Sequence, residues 1–95
     1  TRANDFVIVD EKLYLLCSDS YTIQVYDVNT LKNVNTIKLD EVGYYNSIKI
    51  SKDKTTGILT NITSKELVLF DVKSDKVIQK LPVSVNVHNV VITGK

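Results

Sequence analysis

The sequence predicts an all-β protein built from two copies of one four-stranded unit. Three observations carry that expectation. No stretch holds the apolar period of a helix with end caps. Short runs rich in β-branched and aromatic residues alternate instead with turn residues. Residues 13–39 and 57–83 align with each other at an offset of 44 positions. Finally, the runs differ in kind. "LYLLC" and "LVLF" are continuously apolar, as strands covered on both faces are. "NVNTIKL" and "KVIQKL" are broken by polar residues and lysines, as outer edge strands are.

In chain order, strands are expected at Phe6–Val9, Leu13–Cys17, Thr22–Val28 and Val34–Leu39, then at Ser47–Ser51, Ile58–Ile62, Glu66–Val72 and Lys76–Leu81. A ninth is expected at Asn89–Thr93. The links "SDSY", "NTLKN", "SKDKTTG", "TSK" and "KSDK" have turn composition, and none is rich enough in Pro or Gly to separate domains. Pro82 follows a strand, where its missing N–H costs little.

In the alignment, Leu15, Ser20, Asp27, Val28 and Lys32 meet Leu59, Ser64, Asp71, Val72 and Lys76 identically. Ile23/Leu67, Val25/Leu69, Tyr26/Phe70, Val34/Ile78 and Ile37/Leu81 are conservative pairs. Four strands in a period of about 40–45 residues are the signature of a propeller blade. The expected division of residues 1–95 is blade one at about 5–41, blade two at about 45–83, and the start of a further blade at 86–95. A small β-sandwich is the alternative architecture.

The stretch "SDSYTIQVYDVNTLKNVNTIKL" resembles the end of the second strand through the fourth strand of a WD-repeat blade. "KELVLFDVKSDKVIQKLPVSVNVHNVVIT" is similar to the related YVTN-type repeat: an aspartate closes the third strand and a Lys-Val pair opens the fourth. The resemblance implies a β-propeller. It departs from the WD pattern at Tyr26 and Phe70, which stand where tryptophan is usual, and no Gly-His pair precedes the first strands. The hydrogen-bond network of WD repeats is therefore not carried over. Two blades leave two apolar faces uncovered, so the chain is expected to need further blades, from a longer parent chain or from other copies.

Composition narrows the function. The hydrophobic share is 43%, and twelve basic residues balance eleven acidic ones for a net charge of +1. Such a balance gives no electrostatic footprint for nucleic acid or an anionic membrane. No apolar run approaches the ~20 residues that span a bilayer. Neither partner is expected. The lone Cys17 cannot form an internal disulfide and reads as a small core residue; it suits a reducing, cytoplasmic compartment, which is otherwise open. No Gly-rich phosphate loop, nucleophile elbow, CxxC or paired-carboxylate constellation is found, and no cofactor or metal is expected.

The candidate residues are in connectors. "LDEVGYYNS", Leu39–Ser47, joins the two units with two acids, a glycine and adjacent tyrosines. Tyrosine offers large contact area at low entropic cost. Asp40, Glu41, Tyr44, Tyr45 and Asn46 are thus candidates for partner binding, with one tyrosine packing on the neighbouring blade as the structural alternative. His88 and Asn89 occupy the corresponding place before the ninth strand. Asn46 and Asn89 are also ordinary turn residues. Asp27 and Asp71 recur at matching strand ends, which predicts acceptance of backbone N–H groups in the turns. Asn61-Ile62-Thr63 is a glycosylation sequon that falls in an expected strand and reads as chance. The function expected is a non-catalytic scaffold for protein–protein interaction. A lactonase-like YVTN-type enzyme, or a propeller binding a small ligand or metal, is the alternative.

Overall fold

A computed structural model describes residues 3–82. Eight strands lie among them: β1 (Asp5–Val9), β2 (Lys12–Cys17), β3 (Thr22–Asp27), β4 (Asn33–Lys38), β5 (Tyr45–Ile50), β6 (Thr56–Asn61), β7 (Glu66–Asp71) and β8 (Lys76–Pro82). They form two antiparallel sheets in the orders β1-β2-β3-β4 and β5-β6-β7-β8. Each expected strand within this range is present. The ninth, and the further blade at 86–95, lie outside the described residues. Pro82, expected to follow the eighth strand, instead closes it and pairs with Glu66. Most bounds agree within one residue, and two strand starts differ by two. β5 starts at Tyr45 rather than Ser47, because Tyr45 pairs with Asn61 across a bulge that precedes Ser47. β6 starts at Thr56 rather than Ile58, because Thr56 pairs with Asp71.

The repeat is written into the backbone as well as the side chains. Asp10 and Lys54, Tyr21 and Lys65, and Leu31 and Asp75 all have positive φ, between 54° and 64°. Each pair is 44 residues apart. A non-glycine residue in this left-handed region costs about 1–2 kcal/mol. The turns offset that cost with backbone bonds, such as Leu31 N–H to the Asp27 carbonyl and Asp75 N–H to the Asp71 carbonyl, both 2.8 Å. The turn aspartates act as expected. Asp27 accepts from the N–H groups of Asn29 and Thr30, and Asp71 from that of Ser74. The Ser74 bonds hold the Asp71 carboxyl below the usual carboxylate range.

The core lies between the two sheets. Val9, Tyr14, Leu16, Ile23, Val25 and Ile37 of the first pack with Ile48, Leu59, Val68 and Phe70 of the second. The Tyr14 and Phe70 rings meet at a centroid distance of 5.3 Å. Phe70 lies across its cross-strand partner Gly57. A Cβ on Gly57 would come within 2.0 Å of the Phe70 ring, so only glycine fits there. The outer strands are exposed, as their polar patterning requires.

Polar bonds pin the seam. The Tyr14 hydroxyl donates to Asp75 Oδ1 at 2.6 Å, and Lys12 Nζ reaches the same carboxylate at 3.2 Å and the Val72 carbonyl at 2.8 Å. Thus the β7–β8 turn of the second sheet latches onto β2 of the first. At the other end, Asp5 Oδ2 accepts from Ile48 N–H at 2.9 Å, and Asn4 donates to the Tyr45 carbonyl at 3.0 Å.

The latch makes stability sensitive to alkali. Burial, then the bond to Asp75 and its negative charge, raise the Tyr14 phenol far above its ordinary 10.0. A phenol whose folded value is raised contributes stability below its unfolded value and loses it as pH climbs beyond. Tyr45 shifts the same way, chiefly through burial. The urea midpoint is expected to hold below about pH 9, then fall as the buried Cys17 thiol and the two phenols ionise in the unfolded chain. In Tyr14→Phe that fall is shallower, with Cys17 and Tyr45 supplying the remainder. An unchanged alkaline slope in Tyr14→Phe counts against the latch.

Candidate protein-interaction face

Leu39–Tyr44 carries the chain from β4 to β5, and its path is imposed by Asn61 at the end of β6. Asn61 is wholly buried. Its amide donates to the Val42 carbonyl at 2.7 Å, and its Oδ1 accepts from Tyr44 N–H at 3.2 Å and Ser64 N–H at 3.0 Å. Gly43 permits this approach. Its φ is +61°, and a Cβ there would lie 2.6 Å from Asn61 Oδ1. Asn61 therefore clamps one connector to the next turn. A sugar cannot reach an amide that is buried and engaged in this way, so the sequon is occluded in the folded chain. Sequence reasoning passed Asn61 over. The available signal was a polar side chain closing the strand "TGILTN", whose other positions are almost all buried.

The two tyrosines divide. Tyr45 is 1% exposed, while Tyr44 is 49% exposed. The Tyr45 hydroxyl donates to the Asp40 carbonyl at 2.9 Å, its N–H donates to Ser18 Oγ at 2.9 Å, and its ring stands edge-on to Tyr21. Tyr45 thus joins the sheets, and Tyr44 beside it faces outward. Asp40 pairs with Lys80 of β8. Glu41 is exposed, and Val42 and Tyr44 are the large apolar side chains this connector leaves exposed. Asn46 falls inside β5, half-buried, and accepts from the Thr60 hydroxyl at 2.9 Å. His88 and Asn89 lie outside the described residues.

Tyr44 also borders a cleft of about 270 Å³ with Ala3, Asn4, Ser18 and Asp19. Two of its polar residues are already committed. Asn4 bridges Tyr45 and the Ser18 N–H, and Ser18 Oγ holds Tyr45 N–H. Cys17, next to it, is buried, and burial pushes its thiol up from its ordinary value. Among the described residues no three His, Cys, Asp or Glu side chains converge as metal ligands, and no helix is long and apolar enough to cross a membrane.

Two stacked antiparallel meanders, each a copy of the other, are blades of a β-propeller, and solved structures agree. Hydrazine synthase of Kuenenia stuttgartiensis matches with a TM-score of 0.78 at 17% identity, over 87% of this chain and 24% of that one. The Neurospora crassa Pan2 WD40 domain matches at 0.73 and 14%, over 88% and 25%. Apo AztD from Citrobacter koseri matches at 0.72 and 17%, over 90% and 26%. At such identities the likeness establishes the fold alone. The chain spans about a quarter of the length of these solved chains. No protein-family model and no curated protein matches it.

Proposed function

We propose that this chain is part of a non-catalytic β-propeller scaffold that binds a partner protein through the Leu39–Tyr44 connector. The observation that carries this reading is the contrast at Tyr44–Tyr45. One tyrosine and the buried Asn61 rigidify the connector; the other tyrosine, with Val42 and Glu41, is presented to solvent. A preorganised loop with an exposed aromatic suits recognition, because little entropy is lost on binding.

The small-ligand or lactonase-like reading has its roomier cleft beside the latch, about 830 Å³ and lined by Asp10, Lys12, Lys54, Thr55, Asp71 and Lys73 among others, within the ~300–1,000 Å³ usual for ligand pockets. The cleft beside Tyr44, about 270 Å³, is smaller. Two of its polar residues are occupied in holding Tyr45. Calcium titration and a lactone-hydrolysis assay test it directly, and saturable binding or turnover would favour it over the scaffold.

The scaffold reading is tested with a photo-crosslinking amino acid at position 44 of the full chain, in native extract. A discrete protein adduct is expected, lost when Val42 and Glu41 are replaced by alanine. Those replacements should leave the thermal midpoint nearly unchanged, as surface changes usually shift stability by no more than about 0.5 kcal/mol. Absence of any discrete adduct rejects the proposal.

A further inference from the structure

The cleft beside Tyr44 bears on what the partner protein carries, and this inference rests on the scaffold reading. At about 270 Å³ the cleft lies at the foot of the range for ligand pockets and suits a single side chain. Its lining holds one charge, the Asp19 carboxylate. Asp19 is exposed. Among the described residues the ion pairs are Lys12–Asp75, Lys54–Asp10 and Lys80–Asp40, so no lysine neutralises it. Asn4 has both ends of its amide engaged, by the Tyr45 carbonyl and the Ser18 N–H. The open binding capacity of the cleft is therefore a carboxylate beside the half-exposed Tyr44. Glu41, exposed on the same connector, adds a second negative charge.

The repeat separates this carboxylate from the structural turn residues. Ser20 and Asp27 recur 44 positions later as Ser64 and Asp71, but the counterpart of Asp19 is Thr63. The turn that carries Asp19 is closed by backbone bonds, Ser20 N–H to the Cys17 carbonyl and Tyr21 N–H to the Ser18 carbonyl, both 3.3 Å. Its geometry makes no demand for a charge at that place.

We infer that the partner protein anchors in this cleft with an arginine, its guanidinium forked onto the Asp19 carboxylate and laid against Tyr44. A guanidinium is planar, meets a carboxylate through two parallel N–H bonds and stacks on an aromatic face. Lysine brings charge without the fork or the plane. An apolar side chain would strip water from the carboxylate and return no bond, and an acidic one would add repulsion.

Two measurements on the full chain test the anchor. In the first, acetyl-Gly-Arg-Gly amide is titrated while the Ser18, Asp19 and Tyr44 amide resonances are followed. Saturable shifts are expected. Binding should be about tenfold weaker for the citrulline and lysine peptides, and for the arginine peptide with Asp19→Asn, as the loss of a charge-assisted bond implies. No saturable shift, or equal binding of the citrulline or lysine peptide, overturns the inference. Arg2 is the sole arginine of this chain, adjoins Ala3 in sequence and lies outside the described residues. The titration is therefore repeated with Arg2→Ala. Binding is expected in both; binding seen only with Arg2→Ala would make Arg2 the occupant and overturn the inference. In the second measurement, the crosslink from position 44 is repeated with Asp19→Asn. The thermal midpoint should stay nearly unchanged, as for other surface changes, while adduct yield falls about fivefold or more. An adduct at full yield with Asp19→Asn keeps the scaffold reading and overturns the arginine anchor. Absence of the adduct in the unsubstituted chain rejects the scaffold reading itself.

Discussion

Asn61→Ala is expected to lower stability by roughly 3 kcal/mol, since it orphans a carbonyl and two N–H groups at about 1 kcal/mol or more each. The groups are those of Val42, Tyr44 and Ser64. For a chain of this size that loss moves the thermal midpoint by about 15 °C. Its distribution matters more than its size. Hydrogen exchange at the Tyr44 and Ser64 amides should accelerate far more than at the β2 and β3 amides, because the clamp serves the connector rather than the sheets. Uniform acceleration over both sheets would instead make Asn61 a general core residue. The same variant should weaken the crosslink from position 44, since a loosened connector no longer presents a fixed surface.

Phe70→Ala should cost about 3–5 kcal/mol, the usual range for removing a buried aromatic ring. The ring fills the seam against Tyr14 and lies over Gly57. A second substitution separates packing from simple loss of bulk. In the native chain Gly57→Ala is strongly destabilising, because its Cβ would collide with the ring. In the Phe70→Ala background the collision is gone, and Gly57→Ala should become neutral or stabilising by about 0.5–1 kcal/mol, the entropic cost of glycine in a strand. The sign reversal in this double-mutant cycle is measured by urea unfolding. If Gly57→Ala destabilises equally in both backgrounds, the ring is not what demands glycine.

The sheets were legible because their information is local and repeated. Apolar runs mark β2 and β7, polar interruptions mark β4 and β8, and an offset of 44 confirms each by its copy. Asp27 and Asp71 were readable for the same reason: each acts on N–H groups two or three residues away. What could not be read is what acts at long range and only once. Asp75 looks like any turn residue in "KSDK", and its partners Lys12 and Tyr14 are more than sixty residues earlier. Asn61 was obscured by a sequon and by its place in a strand. Its partners lie in a connector 17 and 19 residues earlier and in the turn that follows it. Tyr44 and Tyr45 are adjacent and identical in type, and only the bulge at the start of β5 decides which one turns inward.

Among the described residues, every backbone ladder stays within one sheet, and every hydrogen bond across the seam has a side chain on at least one side. The consequence concerns inheritance. A gene segment encoding one blade can be copied in place without breaking any backbone pairing, since no strand of one blade completes another here. The copies then diverge freely except where a face meets a face. Three places show such divergence: Lys12, Tyr14 and Asp75 bond across the seam, while their counterparts Thr56, Ile58 and Leu31 in the other duplicate carry different chemistry. The left-handed turns, by contrast, recur at 44-residue intervals in both copies. Backbone shape is likewise what this chain shares with the solved propellers, at identities of 14–17%.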